Sequence, residues 1–247
     1  MPKLPLHPNC KCHYEDVYEK DMPQSLECEK IRNNLLAANN NLSEKDVEKI
    51  ASLIIKSNPE MEKYVQNKDE IYMYFNGRYL FSSNGKLILD AVSGKPVAVK
   101  SNIKSINTSY TTVKIEHTFD YSKSRQALEN TGGLPEGIYT FKCKESGSLL
   151  NGNIRKHLLK KSSWGSYHWI LQPLPETNTY QRKRNSFTIH GGNNYDSGGC
   201  IDLQKNDVIL REYLKNVHQT KMFLFVQYDE KKVIISEEHD NFYPLHP

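Results

Sequence analysis

Two Asn-Gly pairs, Asn76-Gly77 and Asn84-Gly85, separate short apolar and aromatic stretches at Ile71 to Phe75, Tyr79 to Ser82 and Leu87 to Leu89. A tight two-residue hairpin turn needs positive φ at both central positions, which Asn and Gly adopt at least cost, so the pairs predict consecutive hairpins. Further β-rich stretches follow at Val97 to Lys100, Gly137 to Lys142, His168 to Gln172, Ser186 to Ile189, Met222 to Gln227 and Lys232 to Ile235. Two helices are expected among them, Ser122 to Glu129 and Asn206 to Val217, the second with Val208, Ile209, Tyr213 and Leu214 facing inward. From residue 69 to residue 247 the chain therefore reads as one mainly β domain with few helices.

Residues 1–68 have a different texture. Glu27 to Ala38 has helical character, and Ser43 followed by Asp46 forms a capping-box pattern that predicts a helix from Glu44 to about Lys56. Val47, Ile50, Ala51, Ile54 and Ile55 recur at three- and four-residue intervals, so one apolar face of that helix needs a partner. Asn58-Pro59 is expected to end it, because proline has no backbone N–H to give to the helix ladder. The organisation predicted is a helical N-terminal segment before the β domain, α+β overall.

Composition sets the outer limits. With 247 residues, 37% of them hydrophobic and 25% charged, the chain can bury a core and lies outside the disordered and low-complexity classes. A net charge of +4, from 33 basic and 29 acidic residues without interleaved aromatics, does not point to nucleic acid. Apolar runs such as Met222 to Val226 fall far short of the roughly 18 residues a membrane span needs. The opening residues hold no apolar stretch of signal-peptide length, so synthesis in the cytoplasm without a Sec-type leader is expected. The five cysteines are odd in number and three lie within the first 28 residues, unlike a disulfide framework.

The stretch that carries chemistry is Ser186 to Leu203. A short β run delivers His190 to a loop rich in Gly and Asn, and the loop ends at Cys200, just before the apolar Ile201. A thiol of ordinary pKa is only a few per cent thiolate at neutral pH, so an imidazole that takes its proton raises the reactive fraction. His190 is the candidate base and Cys200 the candidate nucleophile. Acyl transfer also needs donors aimed at the developing oxyanion, and Gly198, Gly199 and Cys200 present unobstructed backbone N–H groups. A lone Cys is more often a small core hydrophobe, and glycines between polar residues more often a plain turn. Neither explains a thiol ringed by His190, Ser197 and Asp202 with four glycines close by.

The run His190-Gly191-Gly192, followed by Ser197-Gly198-Gly199-Cys200-Ile201-Asp202-Leu203, resembles the active-site signature of the L,D-transpeptidase (YkuD-like) catalytic domain. It is most similar to the branch found in type VI secretion L,D-transpeptidase effectors, the DUF2778 group. Upstream, Tyr74-Phe75-Asn76-Gly77 through Leu80, Ala91 to Lys95 and Gly133 to Tyr139 look like landmarks of the same family, so the resemblance covers about Glu70 to Ile235. It implies a β-sandwich or barrel fold, Cys200 as the acylated nucleophile, His190 as its base and Ser197 as the loop hydroxyl. The broader family usually has a second His where this chain has Gly198, and often Arg or Asn where it has Asp202. Both departures agree with the effector branch.

The substrate implied by the resemblance is the peptidoglycan stem tetrapeptide, with loss of its terminal D-alanine to water, to a free D-amino acid or to a second stem. No cofactor is implied. A dedicated secretion machine, action in the periplasm of a rival bacterium and a cognate immunity protein would follow for an effector. Two alternatives compete: a housekeeping 3-3 cross-linking enzyme, and an inactive wall-binding or phage-structural module.

Other residues carry weaker signals. Between Gly152 and Arg184 lies a long basic segment with Arg155, Lys156, Lys160, Lys161, Arg182, Lys183 and Arg184 against a single acid, Glu176; it reads equally as a lid or as a solvated insertion. Gly191, Asp202, His168, Arg182 and Arg184 are the candidate substrate contacts, although alternation also allows His168 a satisfied place on a sheet face. His117 and His157 have no partner visible in sequence. Trp164, Tyr167 and Trp169 suit either glycan contact or core, and Cys143 is read as packing. His7, Cys10, Cys12 and His13 fall close together, but Cys-x-Cys-His lacks the spacing usual for zinc, so no metal is assigned. The same run is similar to a His-Pro-Asn-Cys-x-Cys sequence of phage head-morphogenesis proteins, which hints at delivery or docking.

Overall fold

A computed structural model describes residues 22–39, 41–61, 63–64, 70–106, 110–144, 165–180, 187–192, 195 and 197–242. The cluster His7/Cys10/Cys12/His13, the basic residues Arg155 to Lys161 and Arg182 to Arg184, and also His157 and Trp164, lie outside the described residues. The chain is mainly β with few helices and a short N-terminal helical segment. It divides into two compact units, one of Met1–Tyr74 with Phe81–Ile88, the other of Phe75–Leu80 with Leu89–Pro247.

The first unit is built on α1 (Met22–Ala38) and α2 (Glu44–Met61). Ser43 caps α2 as its sequence predicts: the Asp46 N–H donates to Ser43 Oγ at 3.1 Å, and Ser43 Oγ donates to the Asp46 carboxylate at 2.8 Å. Val47, Ile50, Ala51 and Ile54 are buried on one face of α2, as are Cys28, Ile31 and Leu35 of α1. Contrary to expectation, α2 runs on through Asn58-Pro59 to Met61. Proline deletes a single ladder donor, and the complete burial of Met61 with the near-complete burial of Ser57 holds the extra turn. Asn34 Nδ2 donates to the Asn84 carbonyl at 2.7 Å, tying α1 to the second Asn-Gly turn.

In the second unit the strands that matter for the site are β4 (Val92–Ser93), β7 (Gly137–Lys142), β8 (His168–Pro173), β9 (Phe187–His190), β10 (Ile201–Asp202) and β11 (Lys221–Val226). With β1 (Met73–Phe75), β2 (Tyr79–Ser82) and β3 (Ile88–Asp90) they form a nine-stranded sheet in the order β3-β2-β1-β11-β7-β8-β9-β10-β4. Gly77 and Gly85 sit at φ of 95° and 70°, but Asn76 and Asn84 do not take positive φ, so the expected two-residue Asn-Gly turns are corrected. The Asn76 N–H donates to the Tyr79 carbonyl, which centres the first turn on Gly77-Arg78, and the Gly85 N–H donates to the Ser82 carbonyl, which centres the second on Ser83-Asn84. A second, three-stranded sheet joins β5 (Ala98–Ile106), β6 (Tyr110–Asp120) and β12 (Lys232–Phe242) in the order β12-β6-β5. The sequence reading missed β6 and gave β5 and β12 only their first few residues. The period-2 signal was there, in Val113, Ile115, His117 and Phe119.

A tyrosine pair anchors the landmarks noted in the sequence. Tyr121 and Tyr228 stack with ring centroids 4.2 Å apart. Tyr121 Oη donates to the Gly77 carbonyl at 2.8 Å and accepts from the Ser93 N–H, while Tyr228 Oη donates to the Leu134 carbonyl and Ser93 Oγ accepts from the Leu134 N–H. Asn76-Gly77, Ala91 to Lys95 and Gly133 to Tyr139 thus converge on one buried knot.

Helix α3 spans Lys123–Gln126, and a 3-10 turn, Gln204–Asn206, leads into α4 (Asp207–Lys215). The phase expected for α4 needs correction. Its buried residues are Asp207, Leu210 and Leu214, whereas Val208 and Ile209 are 46% and 51% exposed. The helix is turned by Asp207, whose Oδ2 accepts from the N–H groups of Ser166 (2.6 Å) and Tyr167 (2.9 Å).

Candidate active site

Three neighbouring strands bring the site together. Antiparallel β8 and β9 pair His168 with His190 and Ile170 with Thr188, while parallel β9 and β10 pair Ile189 with Ile201 and His190 with Asp202. Side chains alternate between the faces of a strand, so the two faces differ completely. One carries Trp169, Ile189 and Ile201, all fully buried, and belongs to the core. The other carries the row His168, His190, Asp202 and, one step along, Ile170 and Thr188. Cys200 immediately precedes Ile201, which places it beside Thr188 on this polar face. Exposure falls across the row: Ile170 is 42% exposed and His168 half-buried, while Thr188, His190, Cys200 and Asp202 are buried.

The His190 ring is oriented by main chain. Its Nδ1 lies 2.7 Å from the Gly191 carbonyl, which can only accept, so Nδ1 carries a proton and Nε2 is left to receive one. Burial works against the Cys200 thiolate, but the hydrogen bond and charge of His190, with help from Thr188, win; the thiol is lowered to about 7. Burial also works against the imidazolium, yet the hydrogen bond to Cys200 and the negative charges of Asp202 and Cys200 raise the pKa of His190. The two shifts share one cause, the hydrogen bond between sulfur and nitrogen, to which Thr188 adds at the thiol and Asp202 at the imidazole.

Each loop residue has its own task. Ser197 Oγ donates to the Cys200 carbonyl at 2.7 Å and accepts from the Gly94 N–H at 3.0 Å, closing the turn that presents Cys200. Gly199 has φ of 108°, a conformation side chains resist, and Gly198 beside it is partly exposed. Asp202 accepts from the Gln204 N–H at 2.8 Å. Leu203 N–H donates to the His190 carbonyl and Gly192 N–H to that of Gln204, each at 2.8 Å, so both ends of the loop are pinned together. Tyr195, within the loop, has its ring 4.7 Å from that of His117, whose Nε2 lies 2.9 Å from Glu237 Oε1. The partner of His117, invisible in sequence, is thus on β12.

Of the residues singled out from sequence, Cys200, His190, Ser197, Gly198, Gly199, Gly191, Asp202 and His168 gather in this region. Arg182 and Arg184 lie outside the described residues. Gly191 packs too tightly for any side chain: a Cβ there would meet Asp207 Cγ at 2.5 Å. Sequence reasoning missed Asp207, which supports Gly191 and ties down Ser166 and Tyr167 ahead of β8. Its available signal was an acid at the first position of a helix, where a carboxylate is favoured. Thr188 was also missed, since a β-branched residue in a strand looks ordinary.

Residues 117–228 match the family model of the Tlde1 domain, a stretch that takes in β7 to β11 and both His190 and Cys200. No curated protein and no solved structure matches the chain.

Proposed function

We propose that the protein is a cysteine-dependent peptidoglycan L,D-transpeptidase or L,D-carboxypeptidase that acts on tetrapeptide stems, delivered as an antibacterial type VI effector. The matched family is that of type VI secretion L,D-transpeptidase effectors. The observation that carries the reading is the buried Cys200–His190 pair, with His190 Nδ1 committed to the Gly191 carbonyl and the thiol lowered to about 7.

In the first half-reaction His190 Nε2 takes the Cys200 proton and the thiolate attacks the carbonyl carbon of the third stem residue. The oxyanion so formed is held by N–H groups of the loop Gly198-Gly199-Cys200. As the C–N bond breaks, the imidazolium gives its proton to the departing amine of D-alanine, leaving a thioester on Cys200 and neutral His190. In the second half His190 takes a proton from the acceptor, water or an amine, as it attacks the thioester; the C–S bond breaks and Cys200 leaves as a thiol. Water yields a tripeptide stem, a D-amino acid an exchanged stem, and a second stem a 3→3 cross-link. Asp202, next to His190 in the row, stabilises the imidazolium that forms within each half-reaction, and His168 lines the approach from the exposed side. The site of action is the periplasm of a target bacterium, and a cognate immunity protein guards the producer.

Mass spectrometry of tetrapeptide muropeptides and intact sacculi incubated with the protein tests this. Free D-alanine with tripeptide, exchanged or cross-linked products is expected from wild type and none from Cys200→Ala. Unaltered muropeptides with the wild-type protein, or equal conversion by both proteins, would overturn it.

A further inference from the structure

Thr188 is 2% exposed, and its Oγ1 is buried without a hydrogen-bond partner among the described residues. A buried hydroxyl left unmatched is costly, and valine would fill nearly the same volume without that cost. The register says what the hydroxyl faces. Ile189 pairs with Ile201 across the parallel β9 and β10, so the residues just before them, Thr188 and Cys200, are neighbours on the polar face. A neutral thiol is a poor acceptor, but a thiolate is a strong one. The Cys200 sulfur is the group on this face that can use the hydroxyl, and it does so as a strong acceptor once its proton has left.

We propose that Thr188 is the hydroxyl donor to the Cys200 thiolate, forming its hydrogen bond as the proton passes to His190. This rests on the reading of Cys200 and His190 as the reactive pair. The bond stabilises the ionised sulfur and not the resting thiol, so it adds to the reactive population without holding the neutral state back. In keeping with this, the hydroxyl and backbone of Thr188 follow His190 among the influences that favour the thiolate. Once the thioester forms, the sulfur is again a weak acceptor and the hydroxyl lets go.

The experiment titrates Cys200 by ultraviolet thiolate absorbance in the full chain, with Cys200→Ser in each background subtracted to remove the other cysteines. The wild-type midpoint is expected at about 7. Thr188→Val should move it up by about one pH unit, the size expected for one hydrogen bond to a charged acceptor. Thr188→Ser, which keeps the hydroxyl, should return most of the way to wild type. If the valine variant fails to fold, as judged by circular dichroism, Thr188→Ala removes the same hydroxyl and carries the same expectation. A low wild-type midpoint that neither variant moves, or a serine variant that shifts as far as valine, overturns the role of Thr188 alone. A wild-type midpoint at the ordinary thiol value overturns the Cys200–His190 reading and this inference with it.

Discussion

Cys143 and Cys200 are buried to nearly the same degree, 8% and 5% exposed, and their thiols move in opposite directions. At the end of β7, burial alone pushes the Cys143 thiol up to about 11, so it stays neutral and inert. At the start of β10, burial pushes the same way, but His190 and Thr188 overcome it and the thiol comes down to about 7. Burial therefore does not decide whether a cysteine is reactive; the nearest proton acceptor does. The surroundings differ in kind as well. The neighbour of Cys143 is Trp169, whose indole N–H is spent on the Cys143 carbonyl at 3.3 Å, whereas Cys200 faces an imidazole with one nitrogen already anchored.

The contrast can be broken most severely by exchanging which sulfur is lost. Cys200→Ala should abolish release of D-alanine from tetrapeptide muropeptides, while Cys143→Ala should keep it near the wild-type rate; liquid chromatography with mass detection compares the two. His190→Ala should lower kcat/KM by about two to four decades, as for loss of a general base. It should also send the Cys200 titration above the ordinary thiol value, because burial remains and its counterweight is gone; iodoacetamide modification rates against pH would show this.

Gly191→Ala tests the support of the anchor. Its Cβ would meet Asp207 Cγ at 2.5 Å, which cannot be relieved without moving the His190 segment or Asp207, so turnover should fall by about tenfold and stability by about 1–3 kcal/mol. Activity and a thermal melt measure the two losses. Asp202→Asn is the gentlest change: it keeps an acceptor for the Gln204 N–H but removes a charge that raises the pKa of His190. The His190 titration should move to lower pH, with only a few-fold loss of turnover. An NMR titration of the His190 ring reads the sign directly.

How much of this was legible beforehand depended on whether the deciding interaction was local. The Ser43 cap and the strand Gly137 to Lys142 are set by neighbours in sequence, and they were read correctly; the turns at Gly77 and Gly85 were located, but Asn76 and Asn84 lack the positive φ expected of them. The joining of His190 and Cys200 on one face was also within reach, because a short glycine-rich loop leaves them little room to separate. The phase of α4 was not, since it is set by an aspartate bonded to the main chain of Ser166 and Tyr167, far away in sequence. The extra turn of α2 past Pro59 likewise depends on the burial of Met61. Thr188 needed the β9–β10 register, which no single-strand pattern contains. The three-stranded sheet is the plainest miss, as the alternation in β6 was readable without any tertiary information.

The most direct test of the claim that His190 turns a buried thiol into a nucleophile is peptide-resolved alkylation of Cys200 and Cys143 in the same protein sample across pH. Cys200 modification should rise through a midpoint of about 7 and level off above it, with Cys143 still unmodified at that plateau. Parallel profiles for the two cysteines, or a Cys200 that stays unreactive until the pH passes the ordinary thiol range, would contradict it.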